Sequence, residues 1–332
     1  MKILVLGGTS WLGGEVAVAG LERDHSVTCL ARGQSGPVPE GATFVRADRE
    51  DDTAYDAVRD QYWDGVVDVS WQPGFVRGAV NALAGHTVTW VYVSSCSVYL
   101  THDAIGADES ALVLPPLAGD RATREAYGEA KVACERAVLE GVGDDRTVIA
   151  RSGLIAGPGD HTDRTGYWPW RFAHPAAADG SVLVPAAQQI ATQVVDVRDL
   201  ASWLVHCIES SASGVFNVSG PATPLSDHLA AARKVAGHDG ALVRVSNDWL
   251  AEHDVQEWAG PRSLPLWLCQ AGWEGFAARS TEAALSAGLV CRPLEQTLSD
   301  VLGWEGSRDH AEPRLAGLEP EEERQLIEAA NG

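Results

Sequence analysis

The sequence predicts an α/β protein: a doubly wound parallel sheet with a smaller, interleaved second domain. Three observations point there. Short β-branched runs alternate with helical patterns from residue 2 to residue 151, a glycine-rich turn follows the first of these runs, and beyond residue 156 the alternation gives way to Trp-rich and helical segments. The expected boundaries are 1–156 with about 190–220 for the sheet domain, 157–189 with about 221–304 for the second, and an acidic C-terminal tail with a short helix over 305–332.

Composition narrows the class. Of 332 residues, 45% are hydrophobic and 21% charged, enough apolar material for a large core and too little charge for a disordered chain. No apolar run approaches the roughly 18 residues of a membrane span, and Lys2–Leu6 passes straight into glycines without a cleavage pattern, so a cytoplasmic protein with no membrane partner is expected. The cysteines at 29, 96, 134, 207, 269 and 291 are scattered with no Cys-x-x-Cys pair, which predicts reduced thiols and no metal site. A net charge of -21 repels nucleic-acid phosphates, leaving a small molecule as the expected partner of a monomer or homodimer.

Taken in order, Lys2–Leu6 reads as a strand that ends at Gly7-Gly8-Thr9-Ser10-Trp11-Leu12-Gly13-Gly14; a helix follows over 15–23, then a second strand over Ser26–Leu30. Strand, glycine turn, helix and strand at this spacing form a dinucleotide-binding, Rossmann-type unit. Its glycines let the backbone approach a pyrophosphate, and the helix N-terminal amides meet the charge. Gly7, Thr9, Ser10, Trp11, Leu12 and Gly13 are therefore candidate cofactor contacts. The second strand ends in Ala31-Arg32-Gly33-Gln34-Ser35, without the acid that usually holds the ribose hydroxyls of NAD. Arg32 suits the extra phosphate of NADP instead, with Gln34 or Ser35 assisting, so NADP is the expected cofactor and NAD the alternative.

A third strand over Thr43–Arg46 ends at Asp48, placed to meet the adenine. A helix is expected over 53–60, a fourth strand over Gly65–Val69 running into Ser70, a helix over 75–84, and a fifth strand over Val88–Val93 that ends in the hydroxyl cluster Ser94-Ser95-Cys96-Ser97-Val98-Tyr99. Residues 104–123 read as an irregular loop. Arg124–Glu135 is helical in composition and places Tyr127 and Lys131, four apart, on one face. A cation about 4 Å from a phenol, at an effective dielectric of about 20, favours the phenolate by about 4 kcal/mol, which suits the pair to acid/base work near neutrality. A sixth strand covers Thr147–Arg151.

The glycine turn, Ser94–Tyr99, Tyr127-x-x-x-Lys131, Arg151–Asp160 and Val195–Ala201 occur in this order and together resemble the extended short-chain dehydrogenase/reductase superfamily, also called the NAD-dependent epimerase/dehydratase family, over roughly residues 1–300. The resemblance implies a catalytic Ser95, Tyr127 and Lys131, and places the family's equivalents of Ser152 to Leu154 beside the nicotinamide. Within the family it is similar to a bacterial subgroup known simply as reductases. Two departures stand out. Ser10 occupies the place of the middle glycine, where its hydroxyl is expected to serve a phosphate. Cys96-Ser97 follow Ser95 where the family's 4,6-dehydratases carry an Asp-Glu pair, so that dehydration is not expected.

The segment 161–172 concentrates aromatic and charged residues. Tyr167, Trp168 and Trp170 are candidates to clasp a flat or apolar substrate, with His161 or Arg164 orienting a polar group. Trp249, Trp258, Trp267 and Trp273 are either cleft wall or its backing. Residues 182–197 are expected to return the chain to the sheet, Asp199–Cys207 to form a helix and Val215–Val218 a strand, with Arg314–Pro320 a linker to a helix over Glu319–Ala330. The expected activity is NAD(P)-dependent hydride transfer between nicotinamide and the carbonyl/alcohol of a small organic molecule. The alternatives are a sugar-nucleotide epimerase with transient internal oxidation and, from another class, a non-catalytic dinucleotide-sensing or RNA-binding relative.

Overall fold

The computed structural model describes residues 1–186, 189–309 and 313–332; residues 187, 188 and 310–312, inside the second-domain and C-terminal stretches named above, lie outside the described residues. Lys2–Leu6 (β1), Ser26–Ala31 (β2), Thr43–Arg46 (β3), Trp63–Asp68 (β4), Thr87–Ser95 (β5) and Thr147–Ser152 (β6) join Gly214–Val218 in one seven-stranded sheet. Every pairing is parallel, in the order Gly214–Val218, β6, β5, β4, β1, β2, β3. The winding reverses between β1 and β4, and the crevice beyond their C-terminal ends is where such a sheet binds ligands.

Five helices position the site: Trp11–Leu21 (α1), Pro73–Leu83 (α2), Tyr127–Val142 (α3), Tyr167–Ala173 (α4) and Val197–Glu209 (α5). Strand β1 shows how two faces are covered. Ile3 and Val5 pack with Val16 of α1 and Leu204 and Ile208 of α5, while Leu4 and Leu6 pack with Val76 of α2 and Val138 of α3. Successive side chains point to opposite faces, so a strand buried on both reads as one apolar run.

Two expected elements take another form. Over 53–60 the chain makes successive turns, with amides bonding three residues back (Ala54 to Asp51, Asp56 to Thr53, Val58 to Tyr55). Tyr55 is held by Arg49, whose Nε donates to the phenol oxygen at 2.8 Å, so a tertiary contact sets this path. The run Val182–Pro185 does not rejoin the large sheet; it pairs in parallel with Leu242–Val245 in the second domain. A short, fully buried apolar strand looks the same in either sheet.

The second core gathers Trp168 and Phe172 of α4 with Leu183, Leu229, Leu250, Leu264, Trp267, Leu298, Leu326 and Ile327. The C-terminal stretch is part of it rather than a free tail. Ala316–Gly317 pairs with Gly260–Pro261, and the helix Pro320–Asn331 buries Leu326 and Ile327. Among the described residues no helix is long and apolar enough to cross a membrane.

Candidate active site

Gly7 adopts φ +96°, and a Cβ on Gly13 would lie 2.1 Å from the Gly7 carbonyl oxygen, so only glycines close this turn. Ser10 caps α1: its hydroxyl donates to the Gly7 carbonyl at 2.8 Å and accepts from the Gly13 amide at 3.2 Å. The Ser10 hydroxyl, expected to serve a phosphate, here uses its one proton within the turn. Trp11 donates from Nε1 to the Pro158 carbonyl at 2.7 Å and sets its ring edge-on to His161, tying the turn to the loop that enters the second domain.

Beyond the strand ends lies a cavity of about 640 Å³. Ser10, Trp11 and Leu12 line it from the turn; Ser95, Tyr127, Lys131, Ser152 and Leu154 from the sheet side; and Trp71, His161, Thr162, Arg164, Gln193, Trp258 and Phe276 from around the opening. A cavity of about 220 Å³ shares Ser10 and Val69 with it and extends to Gly7, Thr9, Arg32, Gln34, Ser35, Asp48 and Ser70. The two form one trough along the crevice. The Arg32 side chain is 53% exposed, with its guanidinium 3.9 Å from Asp48. Beneath, Arg49 grips the fully buried Asp68 at 2.8 and 2.7 Å, and Asp68 accepts the Ser70 amide at 2.9 Å, fixing the end of β4.

Ser95, Tyr127 and Lys131 meet through a close approach. A Cβ on Gly128 would stand 2.5 Å from the Ser97 carbonyl oxygen, so glycine there lets the first turn of α3 bring Tyr127 against the turn after β5. Ser95 accepts the Ser97 amide and donates to the Ser97 hydroxyl, both at 3.1 Å. Lys131 is 3% exposed; its ammonium donates to the carbonyls of Ser70 at 2.9 Å and Val93 at 2.6 Å, and lies 5.9 Å from the centre of the Tyr127 ring. The cation is thus locked beside the phenol by the ends of β4 and β5. Trp71 leans on Tyr127 with ring centres 5.6 Å apart. Cys96 also lines the cavity, but burial pushes its thiol up to about 12, so it stays protonated and is a poor nucleophile.

The substrate candidates divide. Asp160, 1% exposed, accepts from the amide and hydroxyl of Thr162 (2.9 and 2.6 Å) and from those of Thr165 (3.1 and 2.6 Å). Thr162 Oγ1 in turn accepts from Arg164 Nε at 3.1 Å, and the Arg164 guanidinium lies 5.3 Å from the Trp258 ring centre. Arg164 and His161 line the cavity. Tyr167, Trp168 and Trp170 do not, which corrects their assignment to the substrate. Tyr167 and Trp168 are 1% and 0% exposed within the second core, where Trp168 Nε1 donates to the Pro265 carbonyl at 2.7 Å; Trp170 stacks on His174. Large aromatics gain most from full burial, and α4 turns Tyr167 and Trp168 inward. Trp267 is likewise core, donating to Asn247 at 3.0 Å, whereas Trp258 and Phe276 form the cavity wall. Their role has no local signature, because residues distant in sequence bring them there.

Residues 3–219 match the model of the NAD dependent epimerase/dehydratase family. The chain belongs to that family. The chloroplast stem-loop binding protein of 41 kDa b from Arabidopsis thaliana is 26% identical over 257 residues, 71% of this chain and 63% of that protein, so the match spans less than two thirds of the relative. Among solved structures, UDP-N-acetylglucosamine 4-epimerase from Bacillus cereus superposes with a TM-score of 0.67 at 16% identity, covering 94% of this chain and 99% of that one. UDP-glucose 4-epimerase from Bifidobacterium longum, solved with NAD+ and UDP, gives 0.63 at 15% identity, covering 92% and 98%. At these identities the likeness is one of fold.

The trough of this epimerase/dehydratase family member suits a nicotinamide dinucleotide. The glycine turn leaves its middle free of side chains where a Cβ on Gly7 would meet Val69 at 2.7 Å, Arg32 and Asp48 stand at one end, and Ser152 and Leu154 at the other.

Proposed function

We propose that the chain is an NADP-dependent oxidoreductase acting on the carbonyl/alcohol pair of a small molecule with a flat or apolar body. One observation carries this reading: Ser95, Tyr127 and Lys131 line one cavity together with Ser152 and Leu154 and with the aromatic rings of Trp71, Trp258 and Phe276. The bound nicotinamide supplies or accepts the hydride. Tyr127 exchanges the proton on the substrate oxygen, and the Ser95 hydroxyl turns from Ser97 to donate a hydrogen bond to that oxygen as charge develops. Lys131, with two of its three donors on the Ser70 and Val93 carbonyls, is held beside the phenol with one N–H left for a ribose hydroxyl. The test is a panel of aldehydes, ketones and imines followed by nicotinamide absorbance; a reductase consumes NADPH mole for mole with product and purifies with little dinucleotide.

Arg32 at the end of β2, with no acid in Ala31–Ser35, supports NADP over NAD. NADPH is expected to bind more tightly than NADH, and Arg32→Asp to weaken NADPH by about tenfold or more while leaving NADH nearly unchanged. Calorimetric titration of both cofactors checks this, and equal affinities in the native protein would remove the assignment.

The solved epimerases support a second reading, sugar-nucleotide epimerisation through the same three residues. It requires a tightly held dinucleotide and no net cofactor change. The stem-loop binding in the name of the Arabidopsis relative supports a third reading, a non-catalytic RNA-binding relative; the net charge of -21 opposes it.

A further inference from the structure

Arg164 is a cation lining this cavity that, among the described residues, makes no direct ion pair with a carboxylate. Its only hydrogen bond among the described residues runs from Nε to Thr162, so both terminal NH2 groups remain for a ligand. Asp160 acts on it through charge but not through a hydrogen bond: its two oxygens already accept four hydrogen bonds from Thr162 and Thr165, which fills their lone pairs. That network works as a bracket. Thr162 Oγ1 gives its proton to Asp160 and therefore presents a lone pair to Arg164 Nε, which fixes how the guanidinium is turned.

The other side of the guanidinium is held by Trp258, 5.3 Å away. Trp258 has φ +67°, an outlier for a bulky residue, and is kept there by its amide bond to the Trp267 carbonyl at 2.9 Å and by the pairing of Gln256–Trp258 with Ser263–Pro265. Phe276 abuts the Trp258 ring edge-on at 5.3 Å. Strain at a cavity wall and an oriented guanidinium fork with no hydrogen-bonded carboxylate among the described residues together describe a site for a planar anion. Burial also works against the Arg164 charge, so a ligand that neutralises it is favoured.

We propose that Arg164 is an anion subsite that takes a carboxylate of the substrate in a fork-to-fork pair, so that the substrate class is a small aromatic or apolar carbonyl acid. This deepens the oxidoreductase reading and rests on its assignment of the cavity to the substrate. Size and charge argue against a nucleotide diphosphate. The cavity of about 640 Å³ has to take the nicotinamide end as well as the substrate, and its other buried cation, Lys131, is committed to two carbonyls. A planar fork matches a carboxylate bidentately, and flanking aromatics match a flat apolar body.

The test is calorimetry on the intact protein saturated with NADP+, using benzoate, benzamide and phenyl phosphate as probes and Arg164→Gln and Arg164→Lys as variants. Benzoate is expected to bind at least about tenfold more tightly than benzamide, with that preference lost in Arg164→Gln and kept in part by Arg164→Lys. Absence of benzoate binding, equal affinities, a preference that survives Arg164→Gln, or tighter binding of phenyl phosphate would each overturn the proposal. The native benzoate-to-benzamide ratio decides even if the glutamine variant does not fold. Benzoate selectivity in a protein that oxidises no NADPH with any aromatic keto acid would sink the reductase reading and leave the subsite standing.

Discussion

Lys131 serves two ends at once, and substitutions separate them. Its ammonium satisfies the carbonyls of Ser70 and Val93, holding together the ends of β4 and β5, while it stands beside Tyr127. Lys131→Met is expected to remove turnover, weaken cofactor binding and destabilise the fold, because each carbonyl left unpaired in the interior costs about 1–3 kcal/mol. Tyr127→Phe deletes one hydroxyl from a site otherwise unchanged, so it should keep the melting temperature and cofactor affinity while lowering turnover by about 10²–10⁴-fold. Thermal melts and single-turnover rates distinguish the two; full activity in Tyr127→Phe would move the proton donor elsewhere, with His161 the next candidate. The pair was legible in the sequence because a four-residue helical spacing is local. The double duty of Lys131 and the cap made by Ser10 were not, since each depends on which backbone groups the fold brings near.

Among the elements, the helix Leu225–Val235 carries a pH signature. His228 on it is 1% exposed, with Nδ1 3.5 Å from Thr192 Oγ1 and Nε2 lacking a hydrogen-bond partner among the described residues. Burial pushes its pKa down to about 4. An unfolded histidine titrates near ~6.5, so between those values the unfolded chain binds a proton the folded chain refuses, and stability falls as pH falls through that window, by roughly 3 kcal/mol in all. The native protein should lose melting temperature from pH 6.5 to pH 4 more steeply than His228→Leu. His102, held down to about 4 by burial and by the charge of Arg279, contributes equally to both proteins and cancels in the comparison. Identical slopes would remove His228 from the account. At this scale the β-α alternation was readable from periodicity, whereas the 53–60 turns and the placement of Val182–Pro185 were settled by partners far away in sequence.

For the molecule as a whole, the C-terminal helix Pro320–Asn331 is bolted to α4. Arg171 and Glu323, 5% and 0% exposed, pair at 2.8 Å; Arg171 also donates to the Leu318 carbonyl at 2.6 Å, and Glu323 accepts the Leu183 amide at 2.9 Å. Glu323→Ala leaves a buried guanidinium unpaired and is expected to cost about 3–5 kcal/mol, while Arg171→Met combined with Glu323→Leu should recover most of it. Urea denaturation measures both. A native midpoint in Glu323→Ala would mean that the helix is not anchored through this pair.

What the sequence by itself determined is whatever short-range pattern encodes: the order of strands and helices, the glycine turn, the absence of an acid after β2, and Tyr127 with Lys131 on one helical face. Only the tertiary structure decided which aromatics are wall and which are core. Tyr167, Trp168 and Trp267 vanish into the second core while Trp258 and Phe276 face the cavity, and no local composition separates the two sets. The reason is physical. Burial gain is much the same for any large aromatic, so its fate depends on where the surrounding elements leave room, and that is set by contacts across the whole chain.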